Sequence, residues 1–88
     1  MILYKDNKIA NRVEIDNAVL ADEFMNSETY NGNYGHMPSQ RVFNLWLCRE
    51  KQATSDWEGE GLNQAIKDMD SILIIVSNKN YRKFNVTA

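Results

Sequence analysis

A single cysteine, Cys48, in a chain of 88 residues rules out an intrachain disulfide, so any fold must be held by packing alone. The same length leaves room for one domain, spanning 1–88. A chain this short buries roughly 60 to 65% of the surface it exposes when unfolded, which keeps its stability to a few kcal/mol. Hydrophobic residues make up 43% and charged residues 25%, the latter mixed along most of the chain, so a core is attainable and disorder is not expected. A lone thiol suits a reducing compartment. The start, Met1-Ile2-Leu3-Tyr4-Lys5-Asp6, has no basic segment followed by a sustained apolar run, and no stretch approaches the roughly 18 apolar residues of a membrane span. A cytoplasmic location without membrane insertion is the expectation.

The apolar pattern predicts a small α+β domain, with two or three helices packed on a short antiparallel sheet. Ile2, Leu3, Tyr4, Ile9, Val13 and Ile15 fall on either side of the turn-forming pair Asp6-Asn7, the mark of two short strands. Asp16 then offers a cap for a helix over about 17–26, in which Leu20 with Phe24 and Ala21 with Met25 share a face. Residues 26–39 are polar, contain Asn31-Gly32-Asn33, Tyr34-Gly35 and the sole proline, Pro38, and read as a loop. Ser39 is a cap candidate for a second helix over about 39–50, whose dense apolar group of Val42, Phe43, Leu45, Trp46 and Leu47 suits a central, nearly buried element. A strand is the alternative there. Only Val42 is β-branched, which favours the helix.

Further on, Ser55-Asp56-Trp57-Glu58 has capping-box spacing, and Leu62, Ala65, Ile66 and Met69 follow at amphipathic-helix spacing. Gly59 and Gly61 weaken the first turn by roughly 1 kcal/mol each, so the regular part is expected from about 61. Ile72–Val76 reads as a buried strand, Ser77-Asn78-Lys79-Asn80 as a turn, and Tyr81, Phe84 and Val86 as the return strand of a C-terminal hairpin.

Little in the chain points to catalysis. His36 is the sole histidine and lies in the polar loop, where a dyad would need Cys48, Ser39 or a carboxylate brought to it. Cys48, on an apolar element, reads as a buried inert thiol. One histidine and one cysteine do not make a zinc site. Gly59-Glu60-Gly61 lacks the lysine of a phosphate loop, and its glutamate would repel phosphate. Asp56, Glu58 and Glu60 alternate, but without the twelve-residue calcium pattern they read as an acidic helix entrance. No enzyme, no metal and no cofactor are the expectations.

Charge and exposed aromatics point instead to binding. The net charge is -2, with a sequence pI near 5.3, which disfavours non-specific binding to duplex nucleic acid. Residues 14–28 are purely acidic among their charges (Glu14, Asp16, Asp22, Glu23, Glu28), and Asp56, Glu58, Glu60, Asp68 and Asp70 form a second block interrupted by Lys67. If the blocks share a face, that face could enter a nucleic-acid-binding groove on a partner protein; two solvated helix faces are the plainer alternative. Trp57, Tyr34 and Tyr30 are the candidate anchors, with Asp56, Glu58, Glu60, Asp22 and Glu23 around them. A rival expectation is single-stranded nucleic acid binding by Lys79, Arg82 and Lys83 in the final hairpin. Homodimerisation through residues 42–47 or a free sheet edge is compatible with either.

The run Tyr30-Asn31-Gly32, then a short polar stretch, then Val42-Phe43-Asn44-Leu45-Trp46-Leu47, resembles short uncharacterised proteins of tailed bacteriophages. It covers about a fifth of the chain, and the tryptophan those proteins carry just before the helix core is replaced here by the region His36–Gln40. The resemblance implies a phage or mobile-element origin. By analogy with small phage proteins that lack catalytic groups, it implies an inhibitor of a host protein, such as a restriction or CRISPR nuclease.

Overall fold

The computed structural model describes residues 1–6, 8, 10–31, 39–55 and 58–85, with side chains described up to 79 except at residue 31. Strand β1 (Ile2–Lys5) turns at Asp6, whose φ of 57° is left-handed, and returns as β2 (Arg12–Glu14) with Leu3 opposite Val13. Aspartate tolerates that conformation better than most residues, which is why Asp6 can sit there. A third strand, β3 (Ala53–Ser55), pairs antiparallel with the other edge of β1, Leu3 opposite Ser55 and Lys5 opposite Ala53. The sheet order is therefore β2-β1-β3, with the first strand in the centre. Nothing in Ala53-Thr54-Ser55 signals a strand by itself. The pairing comes from the open edge of β1 and a left-handed turn at Gln52, φ 50°, whose carbonyl accepts from Asp6 N–H at 2.7 Å.

Helix α1 (Asn17–Met25) begins where its cap predicts, the Asp16 carboxylate accepting from Ala18 N–H at 2.8 Å. It buries Leu20, Ala21 and Phe24, as the four-residue spacing requires. The predicted loop holds one further helical turn, α2 (Glu28–Asn31), and two groups from outside it satisfy its first donors. Ser27 Oγ accepts from Tyr30 N–H at 3.2 Å while donating to Phe24 O at 2.6 Å. The Glu50 carboxylate accepts from Thr29 N–H at 2.9 Å, from Glu28 N–H at 3.3 Å and from the Thr29 hydroxyl.

The Thr29 hydroxyl first, then the Thr29 amide, hold Glu50 below the usual carboxylate range against an opposing effect of desolvation, with the Glu28 amide adding least. A carboxyl whose folded pKa lies below its unfolded one stabilises fully above the ordinary carboxylate range. That contribution fades as pH falls through the lowered folded value. Glu50→Gln is accordingly expected to lower stability at neutral pH, and urea titrations at a series of pH values should show the gap to the native chain narrowing on acidification.

Helix α3 (Gln40–Arg49) resolves the helix-or-strand alternative for residues 42–48, with Ser39 Oγ capping Val42 N–H at 3.3 Å. It is not nearly buried all round: Phe43, Trp46 and Leu47 face the core, while Arg41, Leu45 and Arg49 face outward. Cys48 is exposed rather than buried. At about 100° per residue, the position after Leu47 passes out of so narrow an inward face.

The C-terminal hairpin is absent. Residues 59–85 form one helix, α4 (Gly59–Asn85), about 40 Å long at 1.5 Å per residue. Among the described side chains its buried positions are Ala65, Met69, Ile72 and Val76, spaced four, three and four, so the aliphatic run 72–76 continues a helical seam. Ser77-Asn78-Lys79-Asn80 contains neither glycine nor proline and does not stop it. The capping box does not form either: Ser55 belongs to β3, is 2% exposed, and its Oγ has no hydrogen-bond partner among the described residues. The helix starts instead at Gly59, with φ +54°. Glycine is the residue that takes this left-handed entry without strain.

The core lies between the sheet and the helices. Phe24 is its centre, with ring centroids 5.0 Å from Tyr30, 5.3 Å from Phe43 and 5.4 Å from Trp46. Leu3, Leu20, Met69, Ile72 and Val76 close around it.

Candidate functional site

Helix α4 runs beside α1 in the same direction, because Asn17 donates to Asp68 at 3.2 Å and, further along both helices, Lys79 meets Asp22. On its other flank Gln40 of α3 donates to Asp70 at 2.8 Å. These contacts fix the rotation of α4 about its axis. Residues 66, 70 and 74, each four apart, then form one row leading from the α3 flank to the outer side. Ile66 is 37% exposed and Ile74 60% exposed, with the Asp70 carboxylate between them. Glu58 and Glu60 are exposed where the same helix begins. The result is an aliphatic ridge carrying the Asp70 carboxylate, with the exposed Lys67 one i, i+3 step from it.

Such a ridge offers shape and apolar contact to another macromolecule, not a cavity for a small one. A depression lined by Ile2, Gly61, Gln64, Ala65 and Asp68 holds about 40 Å³, room for little more than a water molecule. No group of three or more metal-ligating side chains gathers among the described residues. No helix there is long and apolar enough to cross a membrane.

The residues expected at a binding site are placed unevenly. Glu58 and Glu60 are exposed where α4 begins, Glu60 about 120° around the helix from Ile66, the near end of the row 66-70-74. Asp22 and Glu23 are engaged within the chain, Asp22 by Lys79 and Glu23 by Lys51 at 3.0 Å. The Lys51 ammonium also lies 6.0 Å from the centroid of the Trp46 ring. The two acidic blocks adjoin along the α1–α4 seam, but Lys79 and Asn17 occupy that seam, so they do not combine into one uncompensated acidic surface. Tyr30 is half-buried and packs on Phe24, so it serves the core's margin.

Lys79, Arg82 and Lys83 lie on the last turns of α4 instead of a hairpin, and Lys79 is the ion-pair partner of Asp22. Asp56, Trp57, Tyr34 and His36 lie outside the described residues, as do the side chains of Arg82 and Lys83. Ile66 and Ile74 were missed because the sequence reading placed the first on a buried face and the second inside a strand. The 65-69-72-76 phase was the signal that would have turned both outward.

Comparison of the chain with protein-family models, with curated proteins and with solved structures finds no match.

Proposed function

We propose that this chain is a non-enzymatic protein-binding module that acts by occupying a site on its partner, with the ridge on α4 as the contact surface. The observation that supports this reading is the exposure of Ile74 and Ile66 on either side of Asp70. Aliphatic side chains in a row on a well-packed helix suit the mode in which a helix face enters a groove on another protein. The Asp70 carboxylate between the two isoleucines favours a groove with a basic rim. Asp22 and Glu23 are not part of this surface, since lysines of the same chain already neutralise them.

The resemblance to tailed-bacteriophage proteins extends the reading to a cytoplasmic inhibitor of host machinery, a defence nuclease being the kind of target whose nucleic-acid groove has a basic rim. The test compares the tagged native chain with Ile74→Lys in a nuclease-treated bacterial lysate. A stoichiometric partner is expected to bind the native chain and to lose about 1 to 3 kcal/mol of affinity with Ile74→Lys. The variant's unfolding free energy should stay within about 0.5 kcal/mol of native, as for an exposed position. Asp22→Asn should leave capture unaltered. Equal capture by Ile74→Lys removes the ridge from the interface, and recovery of nucleic acid alone ends the protein-binding reading.

A further inference from the structure

The outer edge of β2 carries a pattern complementary to itself. Ile15 N–H reaches Met1 O at 2.9 Å and the Met1 amino group reaches Ile15 O at 2.7 Å, while Lys5 N–H reaches Asn11 O at 2.9 Å. Hydrogen bonding alternates along an antiparallel ladder. Asn11, Val13 and Ile15 therefore turn their backbone groups toward β1, and Arg12 and Glu14 turn theirs away from the sheet. Both of those residues are exposed. β2 is an edge strand, so no strand among the described residues takes up their outward N–H and C=O groups.

A twofold axis through Val13 sets Arg12 of one copy opposite Glu14 of the other, and Glu14 opposite Arg12. Those are the residues whose backbone groups point outward, so one register makes both hydrogen bonds of each pair and matches both charges. Centring the axis on Arg12 or on Glu14 instead puts like charges directly opposite, which is destabilising. At the Val13 register the two half-buried valines meet across the axis, on the face that Val13 shares with Leu3. Charged residues on a short strand are the usual protection of an edge against indiscriminate pairing. Here they leave a second copy of the same strand as the partner that fits.

We propose that β2 pairs with β2 of a second copy of this chain, antiparallel about Val13, joining two sheets into one. The strand is three residues long, so the dimer is weak and concentration-dependent, and salt weakens it further. The ridge on α4 takes no part, so this inference stands or falls apart from the protein-binding reading.

Sedimentation velocity of the native chain at low ionic strength, from micromolar to millimolar, is expected to show reversible dimerisation. Arg12→Glu and Glu14→Arg should each raise the dissociation constant roughly 30-fold by turning two attractive pairs into repulsive ones. The double variant Arg12→Glu with Glu14→Arg restores complementarity and should restore the dimer, and an equimolar mixture of the two single variants should form a heterodimer. Glu14→Pro removes an outward N–H without touching the β1 ladder and should also weaken pairing, with circular dichroism confirming that each variant is folded. A native chain monomeric at millimolar concentration overturns the proposal. So does a dimer indifferent to both single reversals, or a double variant that does not recover.

Discussion

Phe24→Ala is expected to reduce the unfolding free energy by about 3 to 5 kcal/mol, the range for removing a fully buried phenylalanine. Phe24 has no exposed surface and contacts the rings of Tyr30, Phe43 and Trp46, which belong to α2 and α3 while it belongs to α1. Its loss therefore opens a void where three helices meet and forfeits edge-on and tilted ring contacts worth about 0.5 to 1.5 kcal/mol per pair. In a chain whose whole stability is a few kcal/mol, the midpoint of urea unfolding should fall sharply. Phe24→Leu keeps part of the volume and should lie between native and alanine. A loss under about 1 kcal/mol for Phe24→Ala would mean that Phe24 is not the centre of the core.

The second large effect separates two neighbouring isoleucines. Ile72 is fully buried on α4 and Ile74, two positions on, is the most exposed aliphatic residue of those described as exposed. Ile72→Ala should cost about 2 to 5 kcal/mol and Ile74→Ala less than about 0.5 kcal/mol. In a strand the two would share a face and respond alike, because side chains alternate with a period of two. Equal losses at 72 and 74 would therefore restore the hairpin and remove the ridge built on Ile74. Measuring both by urea denaturation tests the helix and the candidate surface together.

These residues also show what was legible in the sequence. The hairpin at Asp6, the cap at Asp16, the Leu20–Phe24 face and the cap at Ser39 are local features, settled within one or two turns of chain, and each appears in the structure. Beyond residue 50, the decisive facts are non-local. A run of five apolar residues fits a buried strand as well as a helix, and the choice falls to packing against α1 and α3. β3 has no pattern of its own and depends on β1 having an unpaired side.

The candidate site follows the same division. Acidic residues are easy to find in a sequence, yet whether a lysine many residues away cancels one depends on the fold, as Lys79 does for Asp22. Ile74 looked buried because its neighbours were apolar. Its exposure follows from the phase of a helix that had first to be recognised.

The central place of the first strand has a consequence for how the chain comes into being. β1 and β2 are neighbours in sequence and can pair as soon as both exist, but β3 reaches the opposite side of β1 only after α1, α2 and α3 have been made. During synthesis, which proceeds from the N-terminus, one side of the hairpin is left with unpaired amides and carbonyls until Ala53–Ser55 emerge. Making the intervening residues takes on the order of seconds, far longer than forming the hairpin or a helix, so the sheet is completed late. Until then the nascent chain presents the edge that its finished form covers, and this is the stage at which a stray strand could take the place of β3.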